Sequence, residues 1–164
     1  MSYVMITGSF DPVTAGHLRL IGRARALFPG IRVVMFNNPD KQYLFDFETR
    51  YSLLSAAING MDGVTADCSC GRVVDYARAN GITTIVRGIR DDRDLGWEQA
   101  QARYNRAEGG LTTLLLPAFG ADRAISSTAV RDALAAGRDP AALLPPAVHD
   151  AVLAAYRAQS ASRQ

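Results

Sequence analysis

A serine, an aspartate and a histidine fall within one short stretch, Gly8-Ser9-Phe10-Asp11-Pro12-Val13-Thr14-Ala15-Gly16-His17. An apolar run from Tyr3 to Ile6 precedes it and an amphipathic run from Leu18 to Phe28 follows, so the stretch reads as a strand, a glycine-bearing loop and a helix start. Backbone N–H groups at a helix N-terminus have no intrahelical partner, and the helix dipole favours negative charge there; such a loop can seat a phosphate. His17 falls in the first turn, where its imidazole can donate to a phosphate oxygen as charge builds on it. The same residues also read as a β-turn on Asp11-Pro12 with an incidental histidine behind it, and the stretch alone does not separate the two readings.

The chain that must hold this loop has 164 residues and 48% hydrophobic content, enough for one well-packed domain and short for two. The domain is expected to span 1–158, with a polar tail from Gln159 to Gln164 that frays. A net charge of +2 is too small to imply a nucleic-acid surface, yet it leaves room for a local basic cleft. Cys68 and Cys70 form a C-x-C pair with no second pair, and with two histidines in the chain no zinc site is indicated. Reduced thiols, structural or incidental, are the expectation. No basic segment followed by an apolar core opens the chain and no window reaches bilayer length, so the reading is a soluble cytoplasmic protein that binds neither membrane nor nucleic acid.

Leu20, Ile21, Ala24, Leu27 and Phe28 recur at helical spacing, and Pro29-Gly30 stops that helix before a continuous apolar strand from Ile31 to Phe36. Asn37-Asn38-Pro39-Asp40-Lys41 is a polar turn. Asp46 caps a second helix whose Tyr51, Leu54, Ala57 and Ile58 share a face, closed by Asn59-Gly60. A weak strand around Val64 to Ala66 leads into a helix with Val73, Val74, Tyr76 and Ala77, ended by Asn80-Gly81. Thr83 to Val86 is a β-branched strand with Arg87-Gly88-Ile89-Arg90 at its C-terminal end. Asp91 to Ala107 reads as a charged helix of unclear apolar periodicity, with one face on a partner chain, broken by Glu108-Gly109-Gly110. Leu111 to Leu116 is the last strong strand, ended at Pro117. Ile125-Ser126-Ser127-Thr128-Ala129-Val130-Arg131 is another serine-capped helix start and a second candidate anion seat. Asp139-Pro140 and Pro145 break the chain before a final helix from Ala147 to about Tyr156.

Strands alternating with helices predict a single-domain α/β protein, a three-layer Rossmann-like sandwich on a mainly parallel five-stranded sheet. Right-handed crossovers then gather the loops that follow the strands on one sheet edge. Those loops hold Ser9 to His17, Asn37 to Lys41, Arg87 to Arg90 and Ser126 to Thr128, four segments suited to phosphate.

G-S-F-D-P-V-T-A-G-H resembles the T/H-x-G-H signature of the nucleotidyltransferase superfamily, and I-S-S-T-A-V-R resembles its I-S-S/T signature. With N-P-D-K after the second strand, R-G-I-R after the fourth and W-E-Q-A-Q-A-R-Y-N-R beyond it, the chain is most similar to the bacterial phosphopantetheine adenylyltransferases, from Tyr3 to about Ala155. The resemblance implies adenylyl transfer from ATP to 4′-phosphopantetheine, giving dephospho-coenzyme A and pyrophosphate by in-line attack without a covalent intermediate. Magnesium would accompany the nucleotide, with no metal ligand from the protein. It also implies a homo-oligomer, a hexamer, with the helix from Asp91 to Arg106 near the contacts.

Carried over by position, the resemblance makes His17, Lys41 and Arg90 catalytic: His17 donating to the α-phosphate, Lys41 bridging the reacting phosphates and Arg90 on the ATP β-phosphate. Ser9 stands at the substrate phosphate, with Phe10 beside the nucleotide. Arg87 holds the phosphopantetheine phosphate, and Val73 and Asn105 complete the acceptor side. Gly88 and Ile89 border the nucleotide, and Glu98 matches an ATP-site acid. Asp122, Arg123, Ala124, Ile125, Ser126, Ser127 and Thr128 match the triphosphate loop. Each position also has a plainer reading: Lys41 as a solvated charge, the arginines paired with water or a nearby carboxylate, Glu98 paired with Arg93 or Gln101, Ser126 as a cap and nothing more.

Departures from the pattern fall on the acceptor side. Ile6-Thr7 stands where the family has an aromatic followed by proline, Gly71-Arg72 replaces an acidic or polar residue followed by leucine, and Asp91-Asp92-Arg93 and Gly96 break the run near the subunit contact. A related nucleotidyltransferase acting on nicotinamide mononucleotide is the alternative enzyme, although Thr14 stands where that branch has a second histidine. An aminoacyl-tRNA synthetase of shared ancestry would need an anticodon-binding region for which this chain is too short. A non-catalytic nucleotide sensor on the same fold is the other alternative; His17 and Lys41 argue against it, since a pure binder needs no group that acts mainly in the transition state.

Overall fold

A computed structural model describes residues 3–161. Its elements in chain order are β1 (Tyr3–Gly8), α1 (Ala15–Leu27), β2 (Gly30–Phe36), α2 (Phe47–Ile58), β3 (Val64–Ser69) and α3 (Val73–Ala79). These are followed by β4 (Thr84–Ile89), α4 (Asp92–Gly109), β5 (Thr112–Pro117), α5 (Ser127–Ala135) and α6 (His149–Ala161). The strands form a single all-parallel sheet in the order β3-β2-β1-β4-β5, a Rossmann-like α/β arrangement in one domain.

Strand β1 is central because its residues suit burial on both faces. Val4, Met5 and Ile6 are all buried, the continuous apolar run of a strand covered by helices on either side. Alternate side chains go to opposite faces: Val4 and Ile6 join a large cluster with Ile21, Leu54 and Val152, whereas Met5 joins Val34, Val74, Ala77 and Ile85 on the other side. From β1 the chain winds outward through β2 and β3, then returns to lay β4 against the other side of β1, with Met5 opposite Ile85 and Ile6 opposite Val86. The winding therefore reverses between β1 and β4, and a crevice opens beyond their C-terminal ends.

Several boundaries differ from the periodicity, each for a local reason. Strand β3 continues past Ala66 to Ser69 because it pairs with β2 along its whole length, Cys68 opposite Met35 and Ser69 opposite Phe36. Pro146–Val148 forms a 3-10 turn, so the last helix begins at His149 and not at Ala147. It runs past Tyr156 to Ala161, and the Gln159 side-chain amide donates to the Leu44 carbonyl, tying what reads as a polar tail to the loop before α2. Positions 162–164 of that tail lie outside the described residues. Helix α4 buries Glu98 and Asn105, and leaves Trp97 and Tyr104 at 64% and 47% exposure. No helix among the described residues is long and apolar enough to cross a membrane.

Candidate active site

The loop after β1 is drawn tight under the crevice. Phe10 adopts φ 46, the left-handed region that a bulky residue rarely occupies, and is nevertheless almost fully buried. Its ring comes back beneath Gly8, where a Cβ would lie 3.1 Å from the ring, and stands edge-on to His17 at 4.9 Å between centroids. The Asp11-Pro12 peptide is cis. Asp11 is buried, and its carboxylate accepts from the Leu44 and Phe45 N–H groups at 2.8 and 2.9 Å. Asp11 is thus more than a turn residue, since it joins the β1 loop to the segment entering α2.

Thr14 caps α1 in an unusual way. The third helical position of a capping box normally carries Glu or Gln, and here it is His17. The His17 N–H donates to Thr14 Oγ1 at 3.3 Å, while the Thr14 N–H donates to His17 Nδ1 at 3.0 Å. Because Nδ1 accepts, a neutral imidazole carries its proton on Nε2, which leaves an N–H donor on the ring edge away from the cap. The ring stays neutral: burial first, then the positive charges of Arg87 and Arg90, lower its pKa from 6.5 to about 4.

Beside it, β4 ends in two arginines that α4 grips. Arg87 Nε and Nη2 donate to both oxygens of Glu98, at 2.8 and 2.5 Å, and Nη1 donates to the Thr7 carbonyl and, at 3.0 Å, to Thr7 Oγ1. Arg90 Nε and Nη2 donate to both oxygens of Asp94, at 2.7 and 3.1 Å, and hold that carboxyl below the usual range. Asp94 and Glu98 are one turn apart and share a helix face, so one element fixes both cations. The plainer reading of the arginines as carboxylate-paired thus describes this state, and Glu98 meets Arg87, not Arg93 or Gln101.

The opposite wall is the start of α5. Ser126 caps it by accepting from the Ala129 N–H at 3.0 Å, and the Ser127 hydroxyl donates to the Pro12 carbonyl at 2.8 Å. Gly16 lets this wall close on α1, since a Cβ there would stand 3.3 Å from Ile125. Between the walls lies a cleft of ≈340 Å³, lined by six basic side chains and three carboxylates and so carrying an excess of positive charge.

Ser9, Phe10, His17, Lys41, Arg87, Gly88, Ile89, Arg90 and Glu98 all line this cleft, as do Asp122, Ile125, Ser126, Ser127 and Thr128. Arg123 and Ala124 lie in the 3-10 turn that borders it; Arg123 Nε donates to the Arg90 carbonyl at 2.8 Å. Val73 and Asn105 do not line it: Val73 packs on the α3 side of the sheet and Asn105 is buried in α4. Arg72 is turned away, its guanidinium on both oxygens of Asp75, so it fills no part of the cleft.

The cleft is also lined by Thr7, Thr14 and Arg131, to which the signatures assign no role, and by Asp94, which no motif marks. Arg50 was missed as well. It is 1% exposed, and it donates to the carbonyls of Phe45 and Ser9 at 3.1 and 2.9 Å and to Asn37 Oδ1 at 2.6 Å, locking the loops after β1 and β2 together. Its only sequence signal is a basic residue four positions after the cap of a helix, on a face of apolar neighbours.

The family described as cytidylyltransferase-like matches residues 5–133. A phosphopantetheine adenylyltransferase from Corynebacterium diphtheriae is 38% identical over 157 residues, 93% of this chain and 97% of its own. A solved structure from Vibrio parahaemolyticus, provisionally assigned as a nicotinate-nucleotide adenylyltransferase, superposes with a TM-score of 0.67 over 93% of this chain and 99% of its own, at 19% identity. That second likeness is one of fold.

Proposed function

The chain belongs to the phosphopantetheine adenylyltransferase family of cytidylyltransferase-like proteins, and from that premise we propose that it transfers the adenylyl group of ATP to 4′-phosphopantetheine. The products are dephospho-coenzyme A and pyrophosphate, a step of coenzyme A biosynthesis. The observation that carries the reading to this chain's own residues is the Thr14-fixed imidazole of His17, neutral and with Nε2–H left for the cleft between two arginines and a helix N-terminus.

In the reaction an oxygen of the acceptor phosphate forms a bond to the α-phosphorus of ATP, and the bond from that phosphorus to the bridging oxygen breaks as pyrophosphate leaves. Such chemistry asks for positioning and charge stabilisation, and for no activated nucleophile. The Nε2–H of His17 donates to the α-phosphate as its charge rises. The free N–H groups at the start of α5 hold the leaving phosphates with Arg90. Lys41 spans the two reacting groups, and Arg87 with Ser9 holds the acceptor phosphate. Among the described residues, Glu98 and Thr7 engage every N–H of the Arg87 fork but the second on Nη2, and so fix where that donor points.

The cleft carboxylates are all engaged by arginine: Asp94 by Arg90, Glu98 by Arg87 and Asp122 by Arg19. Among the described residues no three His, Cys, Asp or Glu gather as a metal site. Magnesium accompanying ATP would neutralise phosphate charge in the cleft, where Arg90, Lys41 and the start of α5 would hold the phosphates. The exposed Trp97 and Tyr104, on one face of α4, support a homo-oligomer built on that helix, a hexamer as in the family resemblance. The unbridged Cys68 and Cys70 suit the cytoplasm.

Mass-spectrometric identification of the product from ATP, magnesium and either 4′-phosphopantetheine or nicotinamide mononucleotide tests the proposal. Dephospho-coenzyme A from the first acceptor and no dinucleotide from the second is the expected result; a dinucleotide alone would overturn it.

A further inference from the structure

The chain contains seventeen arginines and one lysine, Lys41. It lies in the exposed turn Asn38-Pro39-Asp40-Lys41, closed by its own N–H donating to the Asn38 carbonyl at 3.1 Å, and its side chain reaches the cleft. A lysine differs from an arginine in having a compact ammonium on a freely rotating stem, with no planar fork to be fixed by two acceptors at once. A residue that must move between a resting place and a pair of phosphates needs that property. What remains is the resting place.

The structure assigns it to the ring of Tyr43, which we infer to be a positioning residue that holds the Lys41 ammonium at the mouth of the cleft. This inference rests on the adenylyl-transfer reading above and deepens it. Three observations carry it. The Lys41 ammonium lies 5.7 Å from the Tyr43 ring centroid, within cation–π range. The ring is itself immobilised, because the Arg50 guanidinium packs on it at 3.7 Å and is held by three oxygen acceptors. Finally, the Tyr43 hydroxyl accepts from the Asn38 N–H at 2.9 Å, so one side chain latches the start of the turn and receives the lysine at its end.

The strength of the contact fits the task. A cation–π contact at an exposed site is worth far less than a charge-assisted bond to phosphate, so the ring orders the ammonium without retaining it once phosphates arrive. A carboxylate in the same place would compete with the substrate. The buried Arg50 puts a second positive charge against the same ring, which favours release of the lysine toward anions.

The single lysine makes the test direct. Protein labelled with ε-¹³C-lysine gives one side-chain cross-peak, and the Tyr43 ring current displaces it upfield from the ordinary lysine position. The displacement is expected to vanish in Tyr43→Leu and to persist in Tyr43→Phe; Tyr43→Met, ringless and of similar bulk, repeats the arm should the leucine variant not fold. In turnover with ATP, magnesium and 4′-phosphopantetheine, Tyr43→Leu is expected to lower kcat about 2- to 5-fold with KM for ATP unchanged. In a Lys41→Met background it should lower kcat no further. A lysine signal unmoved between wild type and Tyr43→Leu would overturn the inference, as would an undiminished effect of Tyr43→Leu without Lys41. Absence of any wild-type turnover would overturn the functional reading instead, and the lysine signal would then decide this inference alone.

Discussion

His17 and His149 are the two histidines of the chain, and their surroundings push them in opposite directions. Burial and two arginines bring His17 down to about 4, so below pH 6.5 the unfolded chain takes up a proton that the native state refuses. Stability is therefore lost as pH falls from 6.5 toward 4, by on the order of 3 kcal/mol in full. His149 lies 2.8 Å from both Asp139 and Asp150, which raise its pKa; its contribution is complete below 6.5 and is lost as pH rises through the raised value. A proton NMR titration of the two imidazoles is expected to give one inflection near 4, absent in His17→Ala, and one above 6.5, absent in His149→Ala. Titration of His17 at or above 6.5 would contradict the neutral Nε2–H donor on which its role depends.

The elements of the sheet were legible because burial on both faces leaves continuous apolar runs such as Val4 to Ile6 and Ile31 to Phe36, punctuated by Pro29-Gly30, Asn59-Gly60 and Asn80-Gly81. Helix α4 was legible as a helix and not as to its inner face, because what it buries is Glu98 and Asn105: its task is to hold arginines, and apolar periodicity does not report an ion pair. Family position brings Val73 and Asn105 to the acceptor side, whereas the structure places both outside the cleft, Val73 packed on the α3 side of the sheet and Asn105 buried in α4. Arg50 escaped because a buried guanidinium satisfied by carbonyls and an aromatic face leaves no pattern of spacing or opposite charge. Its removal would strand those acceptors, so Arg50→Ala is expected to cost at least about 2 kcal/mol in urea-induced unfolding. A loss below about 0.5 kcal/mol would mean that the loops after β1 and β2 hold each other without it.

At the scale of the molecule, the reversal of winding between β1 and β4 brings together a helix start, a strand-end arginine pair and a second helix start, and the chemistry follows from that topology. The exposed Trp97 and Tyr104 belong to the same α4 that grips Arg87 and Arg90, so assembly and catalysis would share one element. Trp97→Asp with Tyr104→Asp is expected to give a smaller species by light scattering; an unchanged mass would place the contact elsewhere. The central claim is that His17 acts on the transition state of adenylyl transfer and not on nucleotide binding. The most direct measurement is pyrophosphate release from ATP, magnesium and 4′-phosphopantetheine by wild type and His17→Ala, beside the ATP dissociation constant of each. The account predicts a fall in kcat of at least about 100-fold with ATP affinity within about threefold of wild type. Turnover retained in His17→Ala, or a loss that appears wholly as weakened ATP binding, would contradict it.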